Sequence, residues 1–333
     1  MDHCAIDLGG RKSQLCIRSP QGDIVHEERC DTWSLPECFR SWPPMRVIVE
    51  TSAEAFAIAE AARAAGHEVR VVPATLVRTL GVGERRTKTD LRDARVLSEV
   101  SCRIDLPSVH IPSTRSREWK TMCRAHDALV SSRTKLINNL RGWLRGQGRR
   151  LGKGSTETFA PRMNLLAPLP EYITPQVAMI EALTRQIAEG EKRMRRIARA
   201  DDLCRRLMTV PGIGPSSALR FTAAIDQAGR FESPHKVSAY LGLTPGEKSS
   251  ADRQQRLSIT KAGPADVRWV LVQAAHCLRH RCRSQEAKPL QLWTLEIEKR
   301  RGKRIALVAL ARKLSGILFA LWRDGTSFEV RPR

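Results

Sequence analysis

The chain has 333 residues and a mass of 37.3 kDa, enough for about two domains at ~150 residues each. Its 41% hydrophobic and 28% charged residues supply a packed core and exclude a disordered polymer. Lys and Arg exceed Asp and Glu by 57 − 35 = 22, which points to a polyanionic partner, nucleic acid or an acidic membrane. With no unbroken run of about 18 apolar residues, no membrane span is expected. Met1–Gly10 lacks the pattern of a signal peptide, and nine irregularly spaced cysteines fit reduced thiols in a cytoplasmic chain.

In chain order, Cys4–Leu8 is a short apolar run closed by Gly9-Gly10. Gln14–Arg18 reads as a second strand and Asp23–Glu28 as a third, together a meander of hairpins. Met45–Glu50 is a compact strand, Thr51-Ser52 caps an Ala-rich helix ending at Gly66, and His67–Val72 is a strand stopped by Pro73. A helix follows from about Thr89 to Cys102. The order β-β-β-(α)-β-α-β-α-α predicts a mixed α/β sheet with helices packed on it.

From Thr114 to Gln147 the character changes. Met122, His126, Leu129, Arg133, Leu136, Leu140 and Trp143 repeat at steps of four and three, a coiled-coil-like seam on one long helix. Gly146, Gly148, Gly152 and Gly154 mark a flexible, basic hinge. Pro175–Ala200 is a second amphipathic helix carrying Val177, Ile180, Leu183, Ile187, Met194 and Ile197. The two helices form either an arm that contacts a second subunit or a hairpin within one. The last third is mostly helical, with an irregular polar excursion over Thr244–Thr260, a helix Pro264–Cys282, and a basic run Lys299–Arg304 before a final helix, Ile305–Trp322. These changes divide the chain into 1–109, 110–203 and 204–333.

Charge is partitioned. Residues 1–109 hold 15 Lys/Arg against 16 Asp/Glu, a balance of −1, so the remainder carries 57 − 15 = 42 against 35 − 16 = 19, or +23. A neutral first third beside so basic a remainder suits a domain that holds cations with carboxylates. The remainder suits phosphate contact, which weakens with salt.

Four acids stand out in the neutral third. Asp7 interrupts an apolar strand, and Glu50 ends the Val-Ile-Val strand, where sites in sheet domains commonly open. Asp90 and Asp93 are three apart and share a helix face. Carboxylates that face one another repel unless a hard cation lies between them; Mg²⁺ is held by such oxygens and serves phosphoryl transfer. Asp90 and Asp93 equally suit the first turn of a helix, where the macrodipole favours negative charge, and Glu50 suits the cap of the next helix.

Asp7, Glu50 and the segment Lys88-Thr-Asp-Leu-Arg-Asp-Ala94, in this order, resemble the DEDD tetrad of the bacterial insertion-sequence family one-ten, transposases also called bridge recombinases. Arg133-Thr-Lys-Leu-Ile-Asn-Asn-Leu-Arg-Gly142 resembles the family's helical linker. Val210-Pro-Gly-Ile-Gly-Pro215, Tyr240-Leu-Gly-Leu-Thr-Pro245, Ser249-Ser250 and Ile259-Thr-Lys-Ala-Gly263 resemble its C-terminal transposase domain. The resemblance covers nearly the whole chain. It implies a RuvC-like domain of ribonuclease H fold over 1–109 that binds Mg²⁺ through Asp7, Glu50, Asp90 and Asp93. A long helical linker and oligomerisation arm over 110–203 and a mostly helical transposase domain over 204–333 would follow.

The resemblance also implies Ser250 as the nucleophile, with Ser249 the second choice, and donor and target DNA selected by a structured non-coding guide RNA. The working form implied is a homo-oligomer, dimer or tetramer. Expected phosphate contacts are Arg133, Lys135, Arg141 and Arg145 on the linker, and Lys248, Arg253, Arg256, Lys261 and Arg268 around the serine. Where the family usually has Ser-Ser-Gly, this chain has Ser249-Ser250-Ala251, which narrows the backbone choices at the turn. The competing readings are a RuvC-like Holliday-junction nuclease that uses water and a non-catalytic nucleic-acid-binding protein whose carboxylates are structural.

Three further signals are weaker. Pro211-Gly-Ile-Gly-Pro215 before a helix suits either a helix-hairpin-helix turn that offers amides to a phosphate or a glycine turn for close helix packing. His276, Cys277, His280 and Cys282 cluster in sequence, but Cys277 and Cys282 point away from the His276/His280 face, against a zinc site. No Walker loop or dinucleotide fingerprint is present, which argues against ATP-driven chemistry.

Overall fold

Residues 1–79, 90–250 and 253–329 are described in the structure, a computed structural model; at Arg78, Thr79, Asp90, Ser249, Ser250 and Arg253–Arg256 only the backbone is described. The chain forms two units, Met1–Pro112 and Ser113–Arg333. The charge division falls on this boundary, because residues 110–112 carry no Asp, Glu, Lys or Arg.

The first unit is a mixed α/β sheet. Strands β1 (His3–Asp7), β2 (Lys12–Arg18) and β3 (Ile24–Asp31) form the expected meander. Helix α1 (Leu35–Ser41) leads to β4 (Arg46–Glu50), α2 (Ala55–Ala64), β5 (Glu68–Val72), α3 (Ala74–Thr79) and α4 (Asp90–Arg103). Sheet order is β3-β2-β1-β4-β5, with β4 parallel to both β1 and β5. Strand period decides the two faces. Cys4, Ile6, Val47 and Val49 pack with Leu35 and Phe39 of α1 and Ile58 of α2. Ala5, Ile48 and Val72 pack on the opposite face with Val77 of α3 and Leu97 of α4. The predicted element order is the one observed. Strand β3 runs three residues past the expected Glu28, because this edge strand is mostly exposed and polar and carries no apolar alternation to mark its end.

The second unit is mostly helical. Its elements are α5 (Thr114–Gly146), α6 (Phe159–Asn164), α7 (Thr174–Ala200), α8 (Asp202–Leu207), α9 (Pro215–Ile225), α10 (Pro234–Tyr240), the hairpin β6 (Pro245–Ser250) and β7 (Arg253–Ile259), α11 (Ala265–His280), α12 (Lys288–Arg301) and α13 (Lys303–Asp324). Helices α5 and α7 pack antiparallel within the one chain: Arg115 pairs Asp201 at 3.1 Å at one end, and Ile137 and Leu140 meet Val177 and Ile180 at the other. The buried stripe of α5 runs through Trp119, Cys123, Arg133, Ile137, Leu140 and Leu144. It lies one residue round from the expected Leu136 and Trp143, which are partly buried. A 3.5-residue period defines several parallel rows, and the packing partner selects among them.

Between the glycine-rich stretch Gly146–Gly154 and α7 stands α6, for which no helix is expected from the sequence; its Phe159, Ala160 and Met163 fill the space between Ile137, Leu144 and Ile180. Helix α13 is long and apolar enough to cross a membrane by length and composition alone, although Arg312-Lys313 interrupt its apolar run. Its Leu310, Leu314 and Leu318, however, lie in the core with Leu271 and Leu278 of α11. This i,i+4 stripe accounts for the apolarity.

The Pro211–Pro215 turn serves packing at Gly212. Its φ is +85°, and a Cβ there would stand 2.8 Å from the Ala274 carbonyl oxygen and 3.0 Å from Leu278 Cβ. Replacing Gly212 by Ala therefore adds left-handed strain to a collision with the backbone of α11. The expected cost is ~2 kcal/mol or more, a fall of about 4–8 °C in the melting temperature of this unit. Calorimetry checks it; an unchanged transition would show that α9 and α11 do not need this approach.

Candidate active site

Strands β1 and β4 run parallel with Ile6 opposite Val49, so Asp7 and Glu50 occupy the next rung, their backbones about 4.8 Å apart. The strand period places both on the face that carries Ala5 and Ile48, under α4. Gly9 closes the turn just beyond Asp7. A Cβ there would overlap the Lys12 carbonyl oxygen, so only glycine lets the chain reverse so soon after the carboxylate.

Helix α4 crosses β1 in the opposite direction. His3 Nδ1 lies 2.7 Å from Ser101 Oγ at the start of the strand. From Ser101 back to Asp93 is about 12 Å along a helix, and from His3 to Asp7 about 13 Å along a strand. Asp93 is therefore level with Asp7. Asp93 is 8% exposed and lies one turn from Leu97, which packs on Ala5 and Ile48. The backbone of Asp90 begins the helix one turn earlier. Three carboxylates thus stand at one level on one sheet face, with α4 bringing the position of the fourth alongside. Among the described residues, no three side chains of His, Cys, Asp or Glu converge to ligand a metal ion. The donor set is all oxygen and fits a hard cation in kind.

The serine segment departs from the expected irregular excursion. It is an antiparallel hairpin, with Lys248 opposite Gln255, Ser249 opposite Gln254 and Ser250 opposite Arg253. The two strands carry only Leu257 and Ile259 as large apolar residues, both at the end of β7, too short an alternation to announce a hairpin. Ser250 ends β6 at the tip, and Ala251 lies outside the described residues.

The base of the hairpin is clamped by the two glycine motifs that flank it. Thr260 N donates to Thr244 O at 2.9 Å and Lys261 N to Gly242 O at 3.2 Å. Gly242 (φ +65°) packs against the Ala262 backbone, and Gly263 (φ +68°) against the Tyr240 carbonyl. Arg268 Nη1 donates to Leu241 O at 2.9 Å and Ala262 O at 2.8 Å, tying the two motifs together.

The expected phosphate contacts separate into two groups. Lys135, Arg141, Arg145, Lys248 and Lys261 are exposed, while the side chains of Arg253 and Arg256 lie outside the described residues. Arg133 departs from the expectation. It is 7% exposed and donates to Thr184, Thr156 and Glu157 at 3.3 to 3.4 Å. Hydrogen bonds from Thr156 and the local backbone, with the Arg133 charge, hold Glu157 down to about 2. Arg133 thus ties the 155–157 loop to α5 and α7, as Arg268 ties the hairpin base; neither presents its full guanidinium to a phosphate. A cation that sequence reading passed over, Arg220, is 4% exposed and grips Asp127 with two 2.7 Å bonds, locking α9 to α5.

The cysteines are all free. Burial pushes Cys123 up to about 11 and Cys204 up to about 12, which leaves both as thiols at neutral pH. His276 and His280 stack at 4.7 Å on α11 without a third metal ligand among the described residues.

Comparison with known proteins matches two family models. Residues 204–291 match the model described as transposase, IS116/IS110/IS902 family, and residues 4–147 match a DEDD transposase model. The chain is 30% identical over 337 residues to a protein of Pseudomonas aeruginosa named probable family 20 transposase, covering 98% of each. It is 26% identical over 331 residues to the transposase for insertion sequence element IS1328 of Yersinia enterocolitica, covering 97% of each. Against the transposase for insertion sequence element IS1111A of Coxiella burnetii it is 29% identical over 245 residues, 71% of this chain and 67% of the relative.

The clamp generates a test. In Gly263→Ala the new Cβ meets the Tyr240 carbonyl at a left-handed backbone. Since Gly263 is exposed, the unit should stay folded while the hairpin shifts. A misplacement of about 1 Å costs on the order of a hundredfold in rate. We expect DNA cleavage to fall by that order with circular dichroism unchanged, and amide exchange over β6 and β7 to speed up. Unaltered cleavage and exchange would remove the clamp from the mechanism.

Proposed function

The chain belongs to the IS116/IS110/IS902 transposase family, and from that premise we propose that it cuts and rejoins DNA through a serine nucleophile and Mg²⁺, directed by a structured non-coding RNA. Members of this family are DNA-cleaving, strand-transferring enzymes; the serine, the metal and the RNA are our reading. The observation that carries it is the placement of Asp7, Glu50 and Asp93 at one level of one sheet face. The sheet order β3-β2-β1-β4-β5, three antiparallel strands followed by two parallel ones, supports a RuvC-like ribonuclease H fold for the first unit.

Asp7, Glu50, Asp90 and Asp93 would hold Mg²⁺. When bound, the ion lowers the pKa of a coordinated hydroxyl or polarises a phosphate. The residues themselves contribute placement: Asp7 and Glu50 by strand register, Asp93 and Asp90 by the crossing of α4. In the second unit, Lys248, Arg253 and Arg256 suit the non-bridging oxygens of a scissile phosphate, beside Ser250 at the hairpin tip. The Ser250 Oγ–P bond forms as the P–O bond to the departing strand breaks, and the hydroxyl proton ends on the departing oxygen. One phosphodiester replaces another, so the exchange needs no nucleotide triphosphate, in keeping with the lack of a Walker loop.

Each of Asp7→Ala, Glu50→Ala, Asp90→Ala and Asp93→Ala should remove about 4 kcal/mol of transition-state stabilisation, roughly a thousandfold in strand exchange. DNA affinity should stay close to that of the unaltered protein, because the +23 remainder supplies it. Undiminished recombination by Asp7→Ala would end the metal reading.

The serine is tested by trapping the protein on a nicked suicide substrate. A covalent adduct is expected with the unaltered chain and with Ser249→Ala, and none with Ser250→Ala. The reverse pattern moves the nucleophile to Ser249. No adduct with the unaltered protein would favour the nuclease that uses water.

A further inference from the structure

A cavity of about 620 Å³ opens where α5 ends and the chain turns into α6. Six cations line it: Arg141, Arg145, Arg149, Arg150, Lys153 and Arg162, with no carboxylate among the lining residues. The first five are exposed, and among the described residues none of them forms an ion pair. The C-terminal end of α5 favours a nearby cation, but its partial charge is about half an electron. It balances one or two of these side chains and leaves the rest repelling one another at close quarters. The arrangement is relieved by an anion that enters the cavity.

The cavity is built rather than incidental. Arg162 is held by three backbone carbonyls, with Nε to Thr158 O at 3.2 Å, Nη2 to Ser155 O at 3.0 Å and Nη1 to Gly152 O. It thereby shapes the wall formed by residues 152–158. The floor is apolar: Leu144 and Phe159 are buried and Leu151 is half-buried. Arg141 lies over the Phe159 ring at 5.6 Å.

A cationic rim over an apolar floor asks for a ligand with both phosphate and a flat apolar body. The volume falls within the ~300–1,000 Å³ of sites that enclose a small group. A duplex turns its phosphates outward and its bases inward, so it would meet the rim and leave the floor empty. An unpaired nucleotide offers both parts, and unpaired bases in RNA loops stack on side chains and guanidinium planes.

We propose that this cavity takes one unpaired nucleotide of a folded RNA, its phosphate against the arginine rim and its base over Leu144 and Leu151. The proposal rests on the guide-RNA reading above and names the part of the RNA that this chain would hold.

The test uses the full chain and three fluorescent probes: an RNA stem-loop with an unpaired loop, an RNA duplex of equal length, and a DNA duplex. The variant is Arg149→Glu with Arg150→Glu, both exposed, with melting temperature as the fold control. We expect roughly tenfold weaker stem-loop binding and a salt dependence shallower by about 1.4, two single-strand contacts at ~0.7 each. Binding of the two duplexes should change by less than twofold. In parallel, 4-thiouridine in the loop of the same RNA should photo-cross-link to the peptide spanning residues 150–162 of the unaltered protein.

Stem-loop binding unaffected by the charge reversal, or a cross-link that maps only elsewhere, would overturn the cavity and leave the guide-RNA reading standing. Equal losses on all three probes would reduce the site to a general phosphate contact and overturn the unpaired-nucleotide assignment. Failure of the unaltered protein to bind the stem-loop at all would overturn both readings.

Discussion

Strand β1 is hydrogen-bonded on both edges and covered by helices on both faces, and the candidate chemistry of the neutral unit follows from where that strand stops. Because β4 pairs with it in parallel, the two strands end together, and one carboxylate at each end suffices to put two acids side by side. The register is not free to slip. Moving β1 by one residue would carry Cys4 and Ile6 to the α4 face and turn Asp7 towards α1 and α2. The apolar residues that make the strand a strand therefore also aim the carboxylate. Helix α4 obeys a similar rule: the row that buries Leu97 on the sheet brings Asp93 with it, because residues four apart share a helix face.

The second unit uses its charge in two ways, and the geometry separates them. Arg133, Arg162, Arg220 and Arg268 are bound by carbonyls, hydroxyls or carboxylates inside the unit. A planar guanidinium with five donors can tie several acceptors at once, which a lysine cannot do. These arginines hold the long helices, the 152–158 loop and the base of the hairpin. Lys135, Arg141, Arg145, Lys248 and Lys261 stay exposed. The formal excess of 23 thus overstates the charge available to a polyanion, and counting residues does not show which ones remain.

Much of the first unit was legible in the sequence because its strands alternate about a buried core. An Asp inside such a run, as at Asp7, stands out against that pattern. The hairpin was not legible. Glu247, Lys248, Gln254 and Gln255 leave apolar residues only at Leu257 and Ile259, and besides Ile259 against the core the hairpin is held by backbone pairing and by close approaches at Gly242 and Gly263 that appear only in three dimensions. Helix α6 was missed because six residues that include Pro161 carry too little periodicity. Its evidence is Phe159, buried by partners more than a dozen residues away. Arg133 looked like a phosphate contact because a buried arginine and an exposed one are the same letter. The serine assignment came from resemblance alone, and no property of Ser249 or Ser250 in isolation would have marked either.

The partition of charge between the units has a physical rationale. Carboxylates embedded in a domain of charge +23 would be captured by neighbouring arginines, as Asp127 is captured by Arg220 at 2.7 Å. An acid so paired is a poor ligand, since the guanidinium already occupies both oxygens. In the neutral unit Arg46 and Arg70 are matched to Glu68 and Asp105 around the starts of β4 and β5, at the opposite end of the parallel strands from Asp7 and Glu50. The converse holds for the basic unit: each carboxylate placed among the rim arginines of the α5–α6 cavity would cancel a phosphate contact. Segregation limits how far one set of charges can cancel the other. An approximately neutral sheet unit followed by a strongly basic helical one is what that requirement produces.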